Sequence, residues 1–299
     1  VRESLAVRFS SIVIALFVVS ACGSPETAAP ATAAAAAPAV ADIPPTSGRG
    51  VSRDADMRVL EPFTGDLDAL IDRGVVRILV APSATHFATD GAAHRGRTVD
   101  AAIAFEQFVN QRLAPRSISV VLIPASETSL VEDVISGQGD IAANVLRTFE
   151  RDDQVAFATP VREGVRELVV TGPGVAPLVS LEDAGGRTIH VRRNSDHHAS
   201  LLRLNDQLKK IDRPPAIIAF APADQTDEDL LAQVNRGSIP ATLADDYIYD
   251  RHAAQLGRTT VNRDVAVSQG GELAWVTRKA APRLLELINE FFSTHRLSF

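Results

Sequence analysis

Apolar residues along the chain alternate between two periods. Leu67, Leu70 and Ile71 recur at helical spacing and Gly74 follows, so a short helix is expected there. Residues 75–81 (VVRILVA) form a β-rich run bounded by Pro82 and read as a buried strand. Ile103, Phe105, Phe108, Val109 and Leu113 mark one face of an amphipathic helix over 99–113. A strand at 118–123, a helix at 130–135 closed by Ser136-Gly137, and a strand at 140–145 complete a first series. The alternation then restarts. Strands are expected at 167–171, 188–191, 216–220 and 241–243, with helices at 200–209 and 228–234 between them. Strands at 265–267 and 273–276 precede a last helix over 282–292.

Strands alternating with helices imply right-handed βαβ crossovers and a mainly parallel sheet. The order of the elements describes two α/β units, the second inserted into the first. Ahead of them the pattern differs. Arg2 and Arg8 precede an apolar run at 12–19 (IVIALFVV), too short to span a bilayer, and small residues then lead into Cys22. Residues 24–40 are an alanine- and proline-rich stretch that lacks the apolar surface needed to offset its ordering entropy.

The net charge of −7 over 299 residues leaves no basic footprint for nucleic acid. With aromatics at 5%, platforms for stacking bases or sugars are also unexpected. One cysteine excludes an internal disulfide and a thiolate zinc cluster. No G-x-S-x-G elbow, H-E-x-x-H helix, P-loop or dinucleotide fingerprint occurs. His86, Asp90 and His94 recur every four residues, but Gly91 and poor helix formers make that segment a loop rather than a ligand-bearing helix. The adjacent His197 and His198 cannot face one metal from the same side of a helix. No metal and no cofactor is expected.

Several segments carry a family likeness. Residues 19–23 (VSACG) resemble a bacterial lipobox, which implies a signal peptide over 1–21 and a lipidated Cys22 on a disordered tether over 22–60. The runs GQGDIAA (137–143), TFER (148–151) and VAFATP (155–160) resemble family 3 extracellular solute-binding proteins. Further runs, VTGPG (170–174), SLED (180–183), VRRNS (191–195) and GGELAW (270–275), are similar to the solute-binding module of the membrane-bound lytic murein transglycosylase F family. The likeness spans about residues 66–296.

That resemblance implies an α/β, two-lobed periplasmic-binding-protein (Venus-flytrap) fold, with the second lobe inserted into the first. Lobe one would hold 61–165 and 266–299, and lobe two 166–265 with the hinge crossings. Arg151 matches the position that forks onto a solute carboxylate, a role suited to guanidinium geometry. Thr148 matches a binding position beside it, while Leu146 stands where amino-acid binders carry a hydroxyl. Asp245 matches the position that receives a solute ammonium, leaving Asp246 to cap the next helix. Arg193, Asn194 and Ser195 form a turn able to cap a helix and present donors. His86 or Phe87 would cover the solute at the cleft mouth.

The expected function is a non-enzymatic, lipid-anchored module on the periplasmic side of the cell envelope. It would close on a small molecule such as an amino acid, short peptide or muropeptide. Its partners would be the membrane, through Cys22, and an ABC permease or a cell-wall enzyme. The alternative is a truncated or split murein transglycosylase, since such relatives carry their catalytic glutamate in a following lysozyme-like domain.

Overall fold

The computed structural model describes residues 59–91 and 93–295. The expected signal peptide, Cys22 and nearly all of the expected tether lie outside the described residues, as do the last four positions expected in lobe one. No described helix is long and apolar enough to cross a membrane.

Helix α1 (Leu67–Arg73) starts at Asp66, whose carboxylate accepts from the Leu67 N–H, and stops at Gly74 in the left-handed conformation. Strand β1 (Val75–Val80) follows, buried from Val76 onward because strands flank it on both edges. Those strands are β4 (Ser119–Pro124) and β5 (Ile141–Leu146), both parallel to it. Between β1 and β4 lie a hairpin, β2 (Ala88–Asp90) and β3 (Ala93–Arg95), and helix α2 (Arg97–Leu113). Helix α3 (Leu130–Ile135) connects β4 to β5, and a four-residue helix α4 (Phe149–Asp152) and strand β6 (Val155–Phe157) follow.

The chain then enters β7 (Arg162–Thr171), passes through β8 (Thr188–Val191), helix α5 (Asp196–Lys210), β9 (Ile217–Phe220), helix α6 (Asp227–Arg236) and β10 (Ala241–Asp245), and reaches helix α7 (Asp246–His252). It returns along β11 (Thr260–Arg278) and ends in helix α8 (Pro282–Thr294). The sheet order is β4-β1-β5-β11-β7-β10-β8-β9, with β6 also on β11. Strand β11 runs antiparallel to β5, β6 and β7, and β7 antiparallel to β10. The two long strands thus stitch two parallel half-sheets into one mixed sheet.

Each half-sheet has its own core. Phe105, Trp275, Leu284 and Phe291 fill one face of the first half, and Leu79, Val134 and Val276 the other. Ile189, Leu201, Leu204 and Leu243 fill one face of the second, with Val170, Leu231 and Val234 behind them. We call these halves lobe one and lobe two.

Two expectations need correction. The strands expected at 265–267 and 273–276 are parts of the single strand β11. The intervening Ser-Gln-Gly-Gly reads as a break, yet the backbone keeps pairing with β7 through register shifts, with Gly270 at φ 77°. Helix α5 begins at Asp196 rather than at 200, because the Ser195 hydroxyl accepts from the His198 N–H and so starts the helix earlier.

Candidate functional site

Strand and helix ends from both lobes enclose a cavity of about 110 Å³. Its walls are rich in charge. The acids are Glu127, Glu167, Asp196, Asp227, Glu228 and Asp245, set against Arg151, Arg192 and His197, with His86 beside them.

Arg151 belongs to α4. Thr148 caps that helix, its hydroxyl accepting from the Arg151 N–H at 3.3 Å, so the Thr148 oxygen serves the turn and does not line the cavity. The Arg151 guanidinium donates to the Leu146 carbonyl at 2.7 Å and forks onto both Asp196 oxygens at 3.1 and 2.9 Å. Asp196 is the first residue of α5, so this pair crosses from lobe one to lobe two.

Asp245 ends β10 at the start of α7, but its side chain makes no capping bond. That task falls to Asp246, which accepts from the Tyr247 N–H at 2.8 Å. Asp245 is therefore free to meet the His197 ring, 3.2 Å from Nε2. On the other side, His197 Nδ1 lies 3.7 Å from Asp227. Asp227 in turn receives two bonds from Arg192, at 3.0 and 3.1 Å. Burial opposes charge on His197, but Asp227 and Asp245 outweigh it and raise the imidazole well above its ordinary value. Asp227 is likewise held below the usual carboxylate range by His197 and Arg192, against the effect of burial. Glu167 lies directly opposite Asp245 across the β7–β10 pairing, 4% exposed, and burial pushes its carboxyl upward.

Asn144 is a sequence-silent member of the wall. It sits within β5 at φ 56°, a left-handed conformation unusual for a strand residue, and its amide donates to the Thr98 hydroxyl at 2.8 Å.

Further contacts join the lobes around the cavity. Ser83 donates to Glu228 at 2.6 Å and the Thr85 N–H donates to the same oxygen at 3.1 Å. Thr85 also meets His252, His86 meets the Tyr247 hydroxyl, and Arg192 pairs with Glu127. His86 is held by Gly96 behind it. A Cβ at Gly96 would come within 2.3 Å of the His86 carbonyl oxygen, which accepts from the Thr98 N–H at 3.1 Å. Burial, helped by Arg97, Arg251 and Arg162 and opposed by Glu228, brings the His86 pKa down to about 4.

The remaining expected residues lie elsewhere. Phe87 is 2% exposed and joins the lobe-one core beside His94, so it does not cover the cavity. Asp90 and His94 belong to the β2–β3 hairpin, away from the cavity wall. Arg193 lies over the Phe220 ring at 3.8 Å. Asn194 adopts φ 61° and its N–H donates to His198. Ser195 is consumed by capping and by donating to the Arg192 carbonyl at 2.8 Å. None of these three lines the cavity.

No protein-family model matches the sequence, and no curated protein matches it. Solved structures do. A substrate-binding protein of an amino-acid ABC transporter from Streptococcus pneumoniae, bound to L-arginine, superposes with a TM-score of 0.62 at 15% identity, covering 76% of this chain and 91% of that one. The chain has the periplasmic-binding-protein fold. A Salmonella typhimurium periplasmic binding protein with high arginine specificity gives a TM-score of 0.60 at 18% identity, over 75% of this chain and 94% of that one. An ancestral amino-acid-binding protein, a precursor of cyclohexadienyl dehydratase, gives 0.58 at 18%, over 76% and 91%. In this two-lobed fold the charged cavity lies at the lobe interface.

Proposed function

We propose that the chain is a solute-binding protein that closes its lobes on a small, amine-bearing molecule. The observation that carries this reading is the cavity between the lobes, walled by charged side chains from both. Solute pockets favour such interfaces, with a few polar groups setting orientation. The excess of carboxylates along the wall favours a cationic or amine-bearing solute, an amino acid or a short peptide. Arg151 supplies the carboxylate-binding end. The Asp196 carboxylate already takes its fork, so a solute carboxylate binds there by exchange with Asp196. Leu146 beside it leaves an apolar strip for the solute's carbon skeleton.

Calorimetry against a panel of amino acids, short peptides and muropeptides tests this reading. Saturable heat is expected with an amine-bearing member, and none with purely anionic analogues. Failure of every member would remove the function proposed here.

We place the protein at the cell envelope, anchored through a diacylglycerol on Cys22 and working with an ABC permease or a cell-wall enzyme. The lipobox-like VSACG and the transglycosylase-like runs support this placement. Bacterial expression with labelled palmitate should tag the protein, and Cys22→Ala should abolish the label. Equal labelling of both would exclude the anchor.

A further inference from the structure

Glu167, His197 and Asp245 meet at one spot on the lobe-two wall of the cavity, where each can offer a ligand atom within 4.8 Å of the other two. Different elements supply them. Glu167 and Asp245 are register partners on β7 and β10, and His197 projects from the first turn of α5. Glu167 and His197 are 4% and 6% exposed. The Glu167 Oε2 atom has no hydrogen-bond partner among the described residues although it is buried. A carboxylate oxygen left in that condition is costly unless a proton or a cation meets it.

We propose that these three residues form a binding site for a divalent first-row transition metal of the zinc class. One imidazole nitrogen and two carboxylate oxygens are a donor set suited to Zn²⁺ and its neighbours rather than to Mg²⁺ or Ca²⁺, which prefer oxygen alone. The approach of His197 Nε2 to Asp245, 3.2 Å, is already close to the spacing of about 3.4 Å that two ligands keep on a tetrahedral Zn²⁺. The remaining ligand atom lies within 4.8 Å of both, inside the reach of side-chain adjustment around one ion.

The surroundings supply what metal-binding histidines usually have. Asp227 faces the other ring nitrogen, Nδ1, and is held in place by two bonds from Arg192. A carboxylate behind the ligating ring sets its tautomer and orientation. All three ligands line the cavity, so the fourth coordination position faces the space the solute would occupy. Three protein ligands and one open position are what a metal that meets a small molecule requires.

The site is built within lobe two and does not rest on solute binding. Its test therefore runs on EDTA-stripped protein without solute. Zn²⁺ titrated by calorimetry at pH 8 should bind with one equivalent of micromolar or tighter affinity, and Mg²⁺ and Ca²⁺ should give none. His197→Gln and Glu167→Gln should each weaken the Zn²⁺ Kd by at least tenfold. X-ray absorption at the zinc edge of the wild-type protein should show one imidazole and otherwise oxygen neighbours, a readout that survives if a variant fails to fold. Binding unchanged in a folded His197→Gln protein, a shell without imidazole, or no stoichiometric binding would each overturn the proposal. Solute calorimetry repeated in EDTA separates the two readings, since loss of the metal site would leave the solute result standing.

Discussion

Arg77 and Arg278 lie inside the lobe-one core, 0% and 5% exposed, where a guanidinium is stable only if paired. Asp140 supplies the pairing. It accepts from the Arg77 side chain at 2.9 and 3.1 Å and from the Arg77 N–H at 2.8 Å, with Arg278 at 3.5 Å. Carbonyls of Glu61, Val134, Gly137 and Gly139 accept from other guanidinium nitrogens of the two arginines. Removing the single carboxylate strands two buried cations, so Asp140→Asn should cost about 3–5 kcal/mol of stability. Urea denaturation followed by circular dichroism measures it, and a change below about 1 kcal/mol would show the pair to be dispensable. Arg151 poses a different question, because its fork lies at the cleft and is partly exposed. A charged hydrogen-bond pair contributes about 1.5–3 kcal/mol. Arg151→Ala should therefore weaken a carboxylate-bearing solute roughly ten- to a hundredfold in calorimetry, with the fold intact. An unchanged Kd would remove Arg151 from the site.

Helix starts decide which polar residues are free for solute and which are not. Thr148, Ser195 and Thr226 each cap a helix with the hydroxyl, while Asp245 occupies a cap position without capping. The VRRNS run points to Ser195 as a donor to solute, but that residue is spent on holding α5, the helix that presents Asp196 and His197 to the cavity. Ser195→Ala should lower stability by about 1 kcal/mol, the usual worth of such a cap. Thermal melting checks that outcome. If the melting temperature holds while solute affinity collapses, Ser195 contacts the solute after all.

Contacts between the lobes make the whole molecule sensitive to acid. Burial, aided by Arg97, Arg251 and Arg162 against Glu228, keeps His86 neutral beside the Tyr247 hydroxyl, with its pKa lowered from 6.5 to about 4. As pH falls from 6.5 towards 4 the unfolded chain takes up this proton and the folded chain does not, so stability falls across that window. His197 adds little to the slope over most of that window, because its raised pKa keeps it protonated when folded and the unfolded ring is itself mostly protonated well below 6.5. Glu167, with its carboxyl pushed up by burial, works in the opposite direction. Comparison with His86→Gln isolates the His86 contribution. Between pH 6.5 and 5 the wild type should lose about 1.5 kcal/mol in all relative to the variant. Parallel stability curves for the two proteins would refute this.

Much of the element order was legible in the sequence, because periodicity reports burial directly. The apolar runs at 75–81 and 118–123, the stripe from Ile103 to Leu113 and the αL glycine at 74 need no tertiary partner to be read. Arg151 and Asp245 were also legible, from their place in a motif order, and both line the cavity. What the sequence could not decide was which polar groups face one another. Arg77 looks like an interruption in a strand until Asp140, 63 residues away, is folded against it. Asp227 and Glu228 read as ordinary first-turn acids of a helix, yet the fold turns one towards His197 and the other towards Ser83. Phe87 and His86 are neighbours in the chain, and only packing sends one into the core and the other to the cleft. Hydrophobic burial follows local period, so it is written along the chain. Charge pairing depends on distance through space, and that is set only when both lobes have folded and met.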